Sequence, residues 1–140
     1  MVKSLVWSVA LYASETWTLK QEDIKRLQAF EMWVWRRMEK VSWRDKKTNE
    51  EVLEAIGEKR SLMDMIYKRK KNWIGHITRG DSLMKDVIEG RMIGKRPPGR
   101  RRYGMLRELS EGSYATMKRR AEERSDWRNW LPETCQMAEH

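Results

Sequence analysis

The chain of 140 residues contains one cysteine, two histidines and three prolines. Because Cys135 has no second cysteine to pair with, an internal disulfide is excluded, and nothing requires an oxidising compartment. The apolar stretch from Leu5 to Ala13 is too short to cross a bilayer, and we interpret it as a packed segment rather than a signal peptide. We therefore expect an intracellular protein, nuclear or cytoplasmic, without a membrane partner.

Residues that mark catalytic and metal sites are also sparse. His76 and His140 lie far apart, and with one cysteine they form no zinc-binding pattern. The sequence has no glycine-rich phosphate loop, no HExxH motif and no adjacent pair of aspartates. We expect no catalytic residue, no metal, no cofactor and no small-molecule substrate, and we interpret His76 as a packed or hydrogen-bonded side chain of a mainly apolar helix.

Positive charge is abundant. Thirty Lys and Arg oppose 21 Asp and Glu, which gives a net charge of +9. Such an excess favours polyanions through counterion release, so nucleic acid is the expected partner. The alternative from charge alone is a solvated basic surface that binds nothing in particular.

The pattern of apolar residues predicts helices with one buried face. The longest runs from Gln21 to Val41, where Trp43 is expected to cap its end, and its apolar stripe consists of Ile24, Leu27, Phe30, Val34, Met38 and Val41. Val2 to Tyr12 is a short apolar element that periodicity leaves open between strand and helix.

Further along the chain, local signals mark helix ends. Thr48 with Glu51 forms a capping box that opens a helix ending at Gly57. Ser61 opens the next helix, which ends at Gly80 and has Leu62, Ile66, Trp73 and Ile77 on one stripe. A short helix follows from Asp81 or Ser82 to Gly90, and Ser113 is the expected N-cap of a helical segment from Tyr114 to Trp130.

These elements predict an all-α fold, a small irregular helical bundle in which Gln21 to Val41 and Leu62 to Arg79 are the main packed pair. The expected division is an apolar lead-in at 1–20 cut from a larger domain, a helical core at 21–90, a basic flexible linker at 91–104, a helical segment at 105–131 and a disordered tail at 132–140.

Basic residues concentrate in three clusters. Five of them fall within eight residues of the linker, beside Tyr103, on a backbone that proline and glycine keep open. We predict that this arm contacts nucleic-acid phosphates through Lys95, Arg96, Arg100, Arg101 and Arg102, assisted by one helix face with Lys68, Arg69, Lys70 and Lys71. The third cluster is Lys118, Arg119 and Arg120. The alternatives are a solubilising linker, solvated helix faces or a nuclear localisation signal. Tryptophans could stack on bases, but their helical spacing favours the core.

Five stretches in order make the chain resemble the carboxyl-terminal part of the reverse transcriptase polyprotein of non-LTR (LINE-type) retrotransposons. They are LVWSVALYASETWTLK (Leu5 to Lys20), AFEMWVWRRMEKVSW (Ala29 to Trp43), TNEEVLEAIGEKRSL (Thr48 to Leu62), NWIGHITRGDSL (Asn72 to Leu83) and IEGRMIGKRPPGRRR (Ile88 to Arg102), with a weaker echo in AEERSDWRNWL. The chain departs from the family at Ala13, where family members usually carry the glycine of LYGxETW, and at Tyr103-Gly104-Met105, where a tryptophan with acidic residues commonly follows.

The resemblance implies the region at and after the polymerase thumb, which helps to hold template RNA and nascent DNA, without the palm that carries the catalytic aspartates. We therefore expect a fragment that does not polymerise alone. It would act at most as a sequence-nonspecific element that binds the RNA or DNA backbone. A further expected partner is the remainder of a parent polymerase. The alternatives are a helical protein-interaction module whose exposed tryptophans dock a partner, and a non-functional truncated genomic copy.

Overall fold

The computed structural model describes residues 2–89, 94, 106, 109 and 113–130 of the chain. In this part of the protein there are seven α-helices and no strand, which confirms the all-α class. The helices are α1 (Val2–Ala10), α2 (Gln21–Met38), α3 (Asn49–Ile56), α4 (Leu62–Arg79), α5 (Leu83–Glu89), α6 (Tyr114–Glu122) and α7 (Arg124–Asn129). The apolar element that the sequence left open between strand and helix is thus helical.

The chain divides into two compact units. Unit 1 comprises Met1–Tyr12 and Leu19–Ile66, and unit 2 comprises Ala13–Thr18 and Tyr67–His140. The boundary falls inside α4, so α2 belongs to unit 1 and most of α4 to unit 2. The start of α4, up to Ile66, shares unit 1 with α2, and the pairing of these two helices along their whole length stays a prediction. The predicted division at 20, 90, 104 and 131 stays a prediction.

The core of unit 1 is organised by the indole of Trp7, which is buried on α1. Its ring lies 5.8 Å from that of Trp35 in an edge-to-face arrangement at 89°, and 6.1 Å from that of Phe30. Edge-to-face contact places the positive ring edge of one aromatic group against the negative face of another. Helix α1 is thereby fixed against α2 within this unit.

Because of this contact, the face of α2 that is buried differs from the face that the apolar stripe predicts. The buried residues of α2 are Glu31, Met32, Val34 and Trp35. Of the predicted stripe only Val34 is buried, and Met38 is exposed. The stripe Ile24 to Val41 is therefore wrong as the centre of the core, because the large ring of Trp35 and its partner Trp7 take the innermost position.

Helix α2 also ends earlier than expected, at Met38 rather than Val41. The Val41 N–H donates to the Arg36 carbonyl over 3.0 Å and the Lys40 N–H to the Arg37 carbonyl over 3.4 Å, with Lys40 at φ 52°. This pattern is a Schellman motif with lysine where glycine is usual. Trp43 does not cap the helix; it lies in a following 3-10 turn, Trp43–Asp45.

The predicted starts of α3 and α4 are confirmed. Thr48 and Glu51 form the reciprocal capping box, and Gly57 closes α3 with φ 69°. At α4 a distant residue completes the cap: the buried carboxylate of Glu31 accepts hydrogen bonds from the backbone N–H groups of Ser61 at 2.8 Å and Leu62 at 3.1 Å. A negative group at a helix N-terminus satisfies amides that would otherwise lack partners.

Unit 2 has its own core around the indole of Trp127. Its buried members are Ile74, Leu109, Met117, Ala121 and Trp127, with Trp73, Leu106 and Trp130 packed against them. The Trp127 Nε1–H donates to the Lys71 carbonyl over 3.1 Å, and the Lys71 ammonium donates to the carbonyls of Arg128 and Trp130. The side chain of Lys71 thus binds carbonyl groups at the end of α7, where cations are favoured.

The same indole explains a glycine in the middle of α4. A Cβ atom at Gly75 would overlap the Trp127 ring. Glycine inside a helix ordinarily costs about 1 kcal/mol relative to alanine, so its presence indicates a close approach rather than helix propensity.

We predict that Gly75→Ala destabilises unit 2 by about 1–3 kcal/mol, since overpacking outweighs the gain in helix propensity. Urea unfolding followed by circular dichroism measures the change. Gly80→Ala is the matched control, because a Cβ at Gly80 meets the carbonyl oxygens of Ile77 at 3.6 Å and His76 at 3.7 Å, both ordinary contacts. An equal effect of the two substitutions would contradict the packing.

The carboxyl-terminal helical segment is interrupted. Ser113 is its N-cap, as predicted, but the helix breaks at Glu123, whose extended backbone separates α6 from α7. Ala121 and Trp127 are buried, whereas Trp130 is only partly buried. Of the linker 91–104 the described part is Gly94 alone; Lys95, Arg96, Arg100, Arg101 and Arg102 lie outside the described residues, as do Gly90, Leu131 and the tail 132–140.

Ala13 has left-handed backbone angles, φ 55° and ψ 19°, just before the short 3-10 helix Ser14–Thr16. A residue with a Cβ atom is strained in this region by roughly 1–2 kcal/mol, whereas glycine adopts it readily.

We predict that Ala13→Gly raises the free energy of unfolding by about 0.5–1 kcal/mol, because relief of the strain exceeds the added chain entropy of the unfolded state. The same substitution at exposed Ala55 in α3 should lower it by about 1 kcal/mol. Thermal unfolding of both variants provides the comparison, and a loss of stability in both would refute the strain at Ala13.

Candidate nucleic-acid interface

A hollow of about 490 Å³ lies in unit 1 where α2 ends and the 3-10 turn begins. Its volume falls in the range of about 300–1,000 Å³ that is usual for small-ligand sites. We call it the tryptophan groove; its lining is Trp33, Arg36, Arg37, Val41, Trp43, Lys46 and Lys47. A second hollow of about 340 Å³ shares Trp33 and Arg36 with it and adds Arg60.

Both tryptophans of the groove are open to solvent, Trp33 by 60% and Trp43 by 84%. This corrects the expectation that helical spacing places the tryptophans in the core, which holds for Trp7, Trp35 and Trp127. Large apolar side chains rimmed by polar groups are typical of a binding surface.

The ring of Trp33 is held by the core of unit 1. It stacks on Phe30 with a centroid separation of 6.2 Å and an interplanar angle of 20°, and Phe30 in turn contacts Trp7. An exposed ring supported in this way loses little conformational freedom when a ligand binds.

Trp43 is positioned by a capped turn. The Ser42 N–H donates to the Asp45 carboxylate over 2.8 Å, and the Arg44 N–H donates to Ser42 Oγ over 3.3 Å. The Arg44 guanidinium lies 5.7 Å from the centre of the Trp43 ring, within the distance of a cation–π interaction. The turn thus holds an indole and a cation together at the mouth of the groove.

Arg36 joins the two walls. Its Nη2 donates to the Lys47 carbonyl over 2.8 Å and to Asn49 Oδ1 over 3.0 Å. The guanidinium therefore fixes the chain that carries Lys46 and Lys47 against α2. Because these bonds use only some of its five N–H groups, Arg36 also keeps donors for a ligand.

The electrostatics of the groove are one-sided. Four basic residues line it, Arg36, Arg37, Lys46 and Lys47, while no Asp or Glu is among its described lining residues. The nearby carboxylate of Asp45 accepts a hydrogen bond from the Ser42 N–H. Like charges gathered in one hollow create a positive potential that attracts anions.

The predicted helix cluster from 68 to 71 is divided by the structure. Lys68 and Arg69 are exposed, whereas Lys70 is 0% and Lys71 8% exposed. The expectation of one basic face is wrong for Lys70 and Lys71, because successive helical residues are rotated by about 100° and four in a row cannot share a face. Lys71 instead binds carbonyls of Arg128 and Trp130.

His76 is exposed, so the expectation that its side chain is packed is wrong. Together with Lys68, Arg69, Asn72 and Arg79 it follows the three- and four-residue spacing of the solvent side of α4. That spacing is visible in the sequence and would have predicted that His76 lies on the exposed side of α4.

Two residues of the third basic cluster, Lys118 and Arg120, make contacts within unit 2. Lys118 forms an ion pair with Glu89 at 2.9 Å, and the Arg120 guanidinium lies 5.6 Å from the Trp130 ring. The five residues of the predicted arm lie outside the described part of the chain, and their role stays a prediction.

No protein-family model, curated protein or solved structure matches the chain. None of the described helices is both long enough and apolar enough to cross a membrane. Within the described residues, no group of three or more His, Cys, Asp or Glu side chains is arranged to hold a metal ion.

The sequence did not reveal the groove, because its basic residues come from two separated segments. Arg36 and Arg37 close α2, while Lys46 and Lys47 follow the 3-10 turn, and neither pair is conspicuous among the 30 basic residues of the chain. The available signal was the two tryptophans beside these pairs.

Proposed function

We propose that the chain binds RNA or DNA through the phosphate backbone without reading base sequence, and that it derives from the thumb and post-thumb region of a non-LTR retrotransposon reverse transcriptase. The observation that carries the binding proposal is the tryptophan groove, which four cations line without a described carboxylate. Each contact between a phosphate and a Lys or Arg releases counterions, and this release supplies most nonspecific affinity.

The proposed origin is supported by the backbone at Ala13. Where the family carries glycine, this chain has a residue in the left-handed conformation that glycine favours. The chain would contribute binding rather than polymerisation, because the catalytic palm aspartates have no counterpart among its motifs. The arm residues Lys95, Arg96, Arg100, Arg101 and Arg102 would add phosphate contacts to those of the groove.

We predict that the triple variant Arg37→Gln, Lys46→Gln, Lys47→Gln binds single-stranded oligonucleotides more weakly and with a shallower salt dependence. The slope of log affinity against log salt should change by about 2, since each phosphate contact to a single strand contributes about 0.7. Fluorescence anisotropy titrations at several salt concentrations measure it.

The matched control is Lys25→Gln, Arg26→Gln, Lys59→Gln, which removes the same charge from exposed residues of unit 1 that line neither hollow. We expect a smaller change in slope for this control. Identical slopes for the two triple variants would mean that binding follows net charge alone and not the groove.

A second candidate function, docking of a protein helix, is favoured by α1 and the residues after it. Leu5, Val9 and Tyr12 follow a helical stripe and are 61%, 78% and 82% exposed. An apolar stripe at this spacing is the usual form of a helix that docks into or against another.

For this candidate we expect the purified chain to self-associate in high salt, and the Leu5→Ser, Val9→Ser variant to remain monomeric, because apolar association strengthens with salt while phosphate binding weakens. Sedimentation velocity distinguishes the two states. A chain that stays monomeric in high salt without any substitution would argue against docking through this stripe.

A further inference from the structure

We propose that the tryptophan groove takes an unpaired base between its basic walls, so that Trp33 and Trp43 make the protein selective for single-stranded over duplex nucleic acid; this inference rests on the proposed nucleic-acid binding. Charge alone does not distinguish the two forms, because both expose phosphates. The distinction comes from the indole rings.

The first step of the argument concerns the rings themselves. Trp33 and Trp43 line the same hollow, yet they come from α2 and from the turn after it. Folding alone does not explain their exposure, since tryptophan contributes most to stability when its ring is buried. Aromatic rings in a basic groove are the recurring arrangement for single-strand binding, because every base has a face that can stack.

The second step concerns preorganisation. Phe30 stacks on Trp33, and the capped turn fixes the backbone at Trp43, whose ring lies 5.7 Å from the Arg44 guanidinium. The supported ring of Trp33 can therefore hold a planar group without first being ordered, and the turn restricts where the Trp43 ring can lie.

The third step concerns the neighbouring charges. Arg37, Lys46 and Lys47 lie in the same lining as the rings, and Arg44 lies over Trp43. A nucleotide whose base enters the groove brings its phosphates to these cations. Bases of a duplex are paired and stacked on each other, so they are not available to the rings.

The test compares three probes on the full chain: oligothymidylate of about 12 nucleotides, within the usual site sizes, an abasic sugar-phosphate oligomer of the same length, and a duplex. We expect oligothymidylate to bind about five- to a hundredfold more tightly than the abasic oligomer, the range that stacking contributes. The Trp33→Ala, Trp43→Ala variant should lose this preference and keep its affinity for the abasic oligomer.

Two further variants interpret the result. Tyr114→Ala removes an exposed aromatic ring of unit 2 that lines neither hollow and should change nothing, while Trp43→Phe alone should retain part of the preference because its ring can still stack. Circular dichroism of each variant establishes that its helices are intact.

Equal affinity of the unsubstituted chain for oligothymidylate and the abasic oligomer would overturn the inference while leaving phosphate binding in place. A preference that survives in the double tryptophan variant would overturn it too, by placing the stacking elsewhere. Failure of all three probes to bind would remove the proposed function itself.

Discussion

The contact of Trp7 with Phe30 and Trp35 determines which side chains of α2 are buried in unit 1 and which are exposed. The large ring of Trp35 turns towards α1 and sets the rotation of α2 about its axis. Once that rotation is fixed, Trp33, two residues earlier and about 200° around the helix, must lie on the solvent side. Phe30 then connects the buried and exposed aromatic groups, so that one packed cluster both stabilises the unit and supports an exposed ring.

Helix geometry also decides which basic residues can act together. In α4, four consecutive cations are distributed around the helix, and Lys70 and Lys71 become buried. In the groove, two short pairs from the end of α2 and the segment after the turn meet because Arg36 binds the Lys47 carbonyl. Four basic residues that are consecutive in sequence therefore do not form a cluster in space. Two pairs that are separated in sequence, Arg36 with Arg37 and Lys46 with Lys47, do form one.

The sequence predicted features that depend on neighbouring residues. The Thr48–Glu51 capping box, the end of α3 at Gly57 and the N-cap at Ser113 are local signals, and the structure has all three. The rotation of α2, the Glu31 cap of α4 and the approach of Trp127 to Gly75 depend on residues distant in sequence. No periodicity encodes these contacts, and for the same reason the groove could not be predicted. Lys40 and Lys46 have positive φ angles without the glycine or asparagine that would have signalled them.

The groove combines one feature that opposes folding with one that contributes little to it. Its cations repel one another without a described carboxylate in the lining, and its indole rings remain largely in water. A polyanion with exposed bases relieves both at once, because phosphates neutralise the cations and bases cover the rings. A ligand that binds only the folded state stabilises it in proportion to its occupancy. The proposed binding would thus relieve the repulsion among the cations and remove the rings from water, which is the physical connection between the stability of unit 1 and its proposed function.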